Sequence, residues 1–107
     1  MGDLEQLVMF AVLYLGDDAC GVTIHEAIEE RTGRVISLGA IYTTLGRLQQ
    51  RDLVTSSVEG SNTGRPGRPR KYYVLRPAGA RALMSAYSTL HAMAGDLLPR
   101  LAEISDG

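Results

Sequence analysis

Residues Gly64 to Tyr73 read GRPGRPRKYY, and they restrict the fold more than any other stretch of this 107-residue chain. Proline has no N–H for a β ladder and its ring fixes φ, so the part of this stretch before Lys71 is not an interior strand. No apolar stripe at helical spacing runs through the segment, which excludes an amphipathic helix. Yet Tyr72-Tyr73-Val74-Leu75 has the aromatic and β-branched composition of a strand. Leu53 to Val58 reads the same way, so a hairpin is expected, with Lys71 to Leu75 as the second strand. The twelve residues from Glu59 to Arg70 would join the two. That is long for a hairpin loop and marks a candidate binding loop.

Upstream, the apolar period is helical. Leu4, Leu7, Val8, Ala11, Val12 and Leu15 form one stripe, with Asp3 as the expected N-cap and Gly16 as the stop. Cys20-Gly21 reads as a turn. Thr23-Ile24-His25-Glu26 fits a capping box, with Ile24, Ala27 and Ile28 inward and Gly33 closing the helix in the left-handed region. Ser37 is the expected cap of a third helix, whose Ile41, Leu45 and Leu48 face the core. Ala40, Thr43, Thr44 and Arg47 then fall on outward or flanking faces, with Gly39 at the start. These small, hydroxylated or basic residues let a helix lie close against another surface. Asp52 stands where this helix should end, and Asp tolerates the left-handed region.

A last helix should begin near Pro77. Leu83, Tyr87, Leu90, Ala94, Leu97, Leu101 and Ile104 alternate in steps of 4 and 3, which is a heptad seam. Pro99 should kink it near Gly95. One short domain has little core to cover such a seam, whereas a second copy of the helix would cover it, so a homodimer is expected.

The net charge of −1 hides a segregation. Ten of the eleven Lys and Arg lie between Arg31 and Arg81 against only Asp52 and Glu59, a local +8, while the rest carries −9. A basic region of this kind is the footprint of an anionic partner. The competing reading is a solvated charged surface, but such surfaces usually mix the signs.

Helix, helix, helix, strand, basic loop, strand is the order of a winged helix-turn-helix: an α+β, mostly helical fold with a long C-terminal dimerisation helix. Residues 1–76 would form the DNA-binding domain and 77–107 the dimerisation helix. The third helix has the size and face to enter a DNA major groove, with Ser37, Gly39, Ala40, Tyr42, Thr43 and Arg47 toward it. Tyr42 adjoins the core positions, so its ring either packs or turns its hydroxyl to a phosphate. Arg65, Arg68, Arg70 and Lys71 on the wing suit phosphates and a narrow minor groove, and prolines 66 and 69 hold that loop extended before it binds. Tyr72 and Tyr73 alternate along a strand, so one should pack inward.

The segment from Ser37 to Leu48, followed by Leu53-Val54, resembles the third helix of the PadR family of bacterial transcriptional regulators. Gly67 to Leu75, followed by Pro77 to Leu83, resembles that family's wing and fourth-helix start. The resemblance covers roughly residues 4 to 85. It implies a homodimeric repressor of double-stranded DNA, of the short form with one C-terminal dimerisation helix, and allows release by a small aromatic or drug-like effector. Tyr87, Met84 and Met93 are the soft apolar surface available to such a molecule. Cys20-Gly21-Val22 stands where the family often has His-Gly-Tyr, Asp52 where glycine is usual, and Arg76 where threonine would cap the fourth helix.

Other classes find little support. Cys20 and His25 make neither a catalytic triad nor a zinc site, so no enzyme, cofactor or metal is expected. A single cysteine allows no internal disulfide. No run of about 18 apolar residues suggests a membrane span, and Met1-Gly2-Asp3 lacks the basic start of a signal peptide, so a cytoplasmic location is expected. The alternative within the same fold is a protein-interaction module without DNA binding, which gives no reason to concentrate arginine on the wing.

Overall fold

The computed structural model describes residues 1–59 and 70–107. Helix α1 spans Asp3–Leu15, α2 Gly21–Thr32 and α3 Leu38–Gln50. Strands β1 (Val54–Glu59) and β2 (Arg70–Leu75) follow, then α4 (Pro77–Ala94) and α5 (Leu98–Ser105). The strands pair antiparallel, in register from Val54 opposite Leu75 to Glu59 opposite Arg70. Leu53, expected to open the first strand, instead precedes it in the core. The linker is therefore residues 60–69, shorter than the expected twelve and outside the described residues.

Helix starts follow local hydrogen-bond chemistry, though not always with the expected partners. The cap of α1 is Gly2, not Asp3. The Glu5 carboxylate accepts from the Gly2 N–H at 3.2 Å, while Asp3 pairs with Arg34 at 2.6 Å. The cap of α2 is Cys20, three residues before the expected Thr23. Thr23 takes the third position, and its Oγ1 accepts from the Cys20 N–H at 2.9 Å. Glu26, expected to complete the box, is exposed. Ser37 caps α3 as expected, its Oγ accepting from the Ala40 N–H at 3.1 Å.

The expected stops are found. Gly33 ends α2 at φ 75°, and Asp52 follows α3 at φ 59°. At Asp52 the two bonds of a Schellman turn are present: Asp52 N–H to Gln49 O at 3.0 Å and Leu53 N–H to Leu48 O at 2.9 Å.

The core is assembled from every element up to early α4. Val8 and Met9 of α1, Ile24 of α2, Ile41, Leu45 and Leu48 of α3, and Val54 of β1 are fully enclosed. Tyr73 faces this core and Tyr72 is only half-buried, so one of the two tyrosines packs inward as the alternation required. Thr44 corrects the reading of the third helix. It is 5% exposed, because it lies three residues from Ile41 and four from Leu48 and so shares their stripe. Its hydroxyl donates to the Ala40 carbonyl at 2.8 Å, which leaves no buried polar atom unpaired there.

The C-terminal helix is two helices rather than one kinked helix. At Gly95, φ is 49°, which ends α4, and α5 begins three residues later. Pro99 sits in the first turn of α5, where its missing N–H breaks no bond. Arg76 caps α4 without a side-chain hydrogen bond, as the replacement of threonine implied. Only the start of α4 belongs to the core, through Gly79 and Leu83. The remainder extends the molecule to 55 × 28 × 20 Å.

Candidate nucleic-acid interface

One face of the domain is set by the outward side of α3. Burial of Ile41, Thr44, Leu45 and Leu48 leaves Gly39, Tyr42, Thr43, Gly46 and Arg47 exposed, with Ala40 half-buried. Nothing lies within 4 Å of where a Cβ would stand on Gly39 or Gly46, so the helix surface there is open and low. The Ser37 hydroxyl is engaged at the cap, which leaves its own O–H to donate outward. Tyr42 is 47% exposed, and its ring crosses the first turn of α2 directly over Gly21.

The base of the wing adjoins this face. The Tyr73 N–H donates to the Ala19 carbonyl at 2.8 Å, and Cys20 bridges to Tyr72. The two residues before α2 thus run beside β2, joined to it by one isolated bridge. Burial pushes the Cys20 thiol up, but hydrogen bonds from the Thr23 side chain and the Thr23 and Val22 backbone, with the positive charge of Arg70, bring it below its ordinary value. Arg70 and Tyr42 therefore both lie near the Cys20-Gly21 corner, Arg70 by its charge on Cys20 and Tyr42 by its ring over Gly21. Arg70 and Lys71 are exposed there; Arg65 and Arg68 lie outside the described residues.

The basic region is smaller than a charge count implies. Arg34 pairs with Asp3, and Arg51 with Glu5 at 3.3 Å, so acids of α1 neutralise two of its members. Arg31 stacks on Tyr14, its guanidinium carbon 4.2 Å from the ring centre. Among the described residues, no ion pair engages Arg47, Arg70 or Lys71.

A second face is apolar. Leu83 is 4% exposed and belongs to the core of its own chain, so the free part of the seam starts at Tyr87. Tyr87, Leu90, Leu97, Leu101 and Ile104 are all exposed, with Leu90 at 66% and Ile104 at 65%; Ala94 is half-buried. Helix α1 adds Phe10, Leu13 and Tyr14, which the sequence reading did not select. Phe10 meets Tyr87 edge to face at 6.2 Å, and Tyr87 stacks on His91 at 5.8 Å. The missed signal is the run Leu7 to Leu15, nine apolar residues in succession. A helix apolar on every side has more surface than one core can take. Between α1 and α2 this face holds a concavity of about 330 Å³ lined by residues including Leu7, Phe10, Tyr14, Ile28 and Arg31.

Among the described residues, no three His, Cys, Asp or Glu gather to hold a metal ion, and no helix is long and apolar enough to cross a membrane.

Three helices, a strand hairpin beside the third, and an apolar helical extension define a winged helix-turn-helix transcriptional regulator. The chain belongs to the PadR-like family of transcriptional regulators, whose sequence profile matches residues 10–85. It is similar to a PadR family transcriptional regulator from Eggerthella lenta, with 25% identity over 94% of this chain and 87% of that one, and a TM-score of 0.71. A PadR-like transcription factor from Bacteroides fragilis is 27% identical over 94% and 88%, with a TM-score of 0.63. A PadR family regulator from Clostridium difficile shares the fold at a TM-score of 0.74, with 23% identity over 94% and 99%. Among curated proteins, no sequence matches significantly.

Proposed function

We propose that this regulator is a homodimeric, cytoplasmic repressor that reads an inverted-repeat operator. The observation that carries this reading is the division of the surface. The exposed residues of α3 (Tyr42, Thr43 and Arg47) and of the base of the wing (Arg70 and Lys71) are polar or basic, whereas those from Tyr87 to Ile104 are largely apolar. On this reading α3 enters the major groove, with Gly39, Ala40, Thr43 and Arg47 toward base edges. Ser37 and Tyr42 meet phosphates, and Arg65, Arg68, Arg70 and Lys71 hold the backbone or minor groove. The second copy covers the apolar face. Two-fold symmetry then places the recognition helices about 34 Å apart, on half-sites about 10 bp centre to centre.

A small aromatic effector fits the apolar face rather than the basic one. Phe10, Tyr87 and His91 already form an aromatic cluster beside Leu90 and Ala94. Binding there would release operator by changing the angle between the two DNA-binding halves. A 100-fold loss of affinity requires about 3 kcal/mol of preference for the non-binding arrangement.

The test is fluorescence anisotropy with DNA from the region upstream of the chain's own gene, set against random DNA, at several salt concentrations. Arg70→Ala with Lys71→Ala should weaken binding to both DNAs and flatten the salt slope by about 1 per lost phosphate contact. Arg47→Ala should chiefly reduce the preference for operator. A wild-type protein that binds neither DNA would favour the protein-interaction module instead.

A further inference from the structure

Gly21 opens α2 and is buried, and the Tyr42 ring carbons and hydroxyl occupy the space that a Cβ on residue 21 would take. A side chain at residue 21 therefore requires either the backbone of α2 or the tyrosine to move. The backbone is held on several sides. The Ala19 carbonyl accepts from Tyr73 at 2.8 Å, the Cys20 N–H donates to Thr23 at 2.9 Å, and the Cys20 carbonyl accepts from Ile24 at 2.9 Å. Cys20 also bridges to Tyr72. Among the described residues no hydrogen bond holds the Tyr42 side chain, which is half exposed on the outward side of α3 and able to swing about its torsions. The tyrosine is the part that yields.

We propose that Gly21 is a positioning residue for Tyr42. Its missing side chain forms a seat on which the tyrosine ring lies, and the seat holds the hydroxyl at one place beside the recognition helix. The inference rests on the proposed contact of Tyr42 with a DNA phosphate, for which a fixed hydroxyl costs less entropy on binding than a mobile one. Because the seat is tied to β2 through Ala19 and Cys20, it also sets the tyrosine in register with Arg70 and Lys71 at the base of the wing.

The experiment uses the full chain as Gly21→Ala, Tyr42→Phe, Tyr42→Ala and the Gly21→Ala/Tyr42→Ala double variant. Thermal melting, NMR contacts between the Tyr42 ring and the residue 21 α-protons, and affinity for operator DNA are measured on each. Gly21→Ala should melt close to wild type, lose the ring contact and bind DNA about 10-fold more weakly, the scale of one hydrogen bond to a charged group. Tyr42→Phe should keep the ring contact and weaken binding similarly. In the Tyr42→Ala background, Gly21→Ala should cost no further affinity. An unfolded Gly21→Ala protein would overturn the proposal, since the backbone would then be what yields. Equal losses in both backgrounds, or full affinity in Gly21→Ala, would do the same. If Tyr42→Ala binds DNA like wild type, the phosphate contact fails. The seat itself is then judged by the NMR contact: its presence in wild type and loss in Gly21→Ala support it, and its absence from wild type refutes it.

Discussion

Replacing Gly79 with alanine should destabilise the domain by about 2–3 kcal/mol, although alanine is the better helix former by about 1 kcal/mol. Gly79 lies in the first turns of α4, and a Cβ there would run into the Leu53 carbonyl oxygen, with the carbonyl carbon at 2.9 Å and Leu53 Cα at 3.3 Å. Neither side yields easily. The Leu53 N–H is bound to Leu48 at 2.9 Å, and its carbonyl accepts the Arg76 N–H at 3.0 Å. Relief requires α4 to move outward, which loosens the Arg76 bond and the packing of Leu83. Overpacking of this kind costs about 1–3 kcal/mol and a weakened hydrogen bond about 1 more. Partial exposure of Leu83 takes a further share of the roughly 2 kcal/mol from its burial. Against these, the gain in helix propensity offsets about 1. At about 4–8 °C per kcal/mol for a domain of this size, melting should fall by roughly 10–20 °C. Gly46→Ala is the control, because its site on α3 is open and exposed. It should leave stability unchanged or raise it by up to about 1 kcal/mol. Differential scanning calorimetry on both variants decides the matter. A Gly79→Ala protein as stable as wild type would refute the account of how α4 docks.

Asp52→Gly should stabilise the fold by about 0.5–1 kcal/mol in urea titration, because Asp52 holds φ 59° at a position where glycine is relaxed. Tyr73 is held above its ordinary value of 10.0, first by burial and then by the charge of Tyr42. The unfolded chain therefore ionises this phenol first, so its contribution to stability is full below about pH 10 and is lost as pH rises toward the folded value. Denaturant titrations should show wild type losing more stability than Tyr73→Phe above pH 10. Leu101→Glu places a charge on an exposed, apolar turn of α5, so light scattering should show the mutant as a monomer and wild type as a dimer at micromolar concentration, with equal helix content.

Much of the candidate site was legible because it depends on short-range rules. Helical spacing placed Ile41, Leu45 and Leu48 inward, which alone turns Tyr42, Thr43 and Arg47 outward. Ser37, Gly33 and Asp52 were readable as punctuation because caps and left-handed residues satisfy or strain the backbone within a few positions. Alternation along β2 separated Tyr72 from Tyr73 in the same local way.

Tertiary contacts decided the rest. Gly21 and Val22 joined α2 because Ala19 and Cys20 are held against β2, a strand about fifty residues away, and the cap moved with them. Arg34 and Arg51 left the free basic set because folding brings Asp3 and Glu5 of α1 to them. The apolar side of α1 became a surface because one core could not enclose nine consecutive apolar residues. Gly21 itself gives no sign in the sequence of what it does. A glycine that ends a turn and a glycine that seats a ring read alike until α3 is laid across α2, because the difference lies in which atom from elsewhere fills the space it leaves.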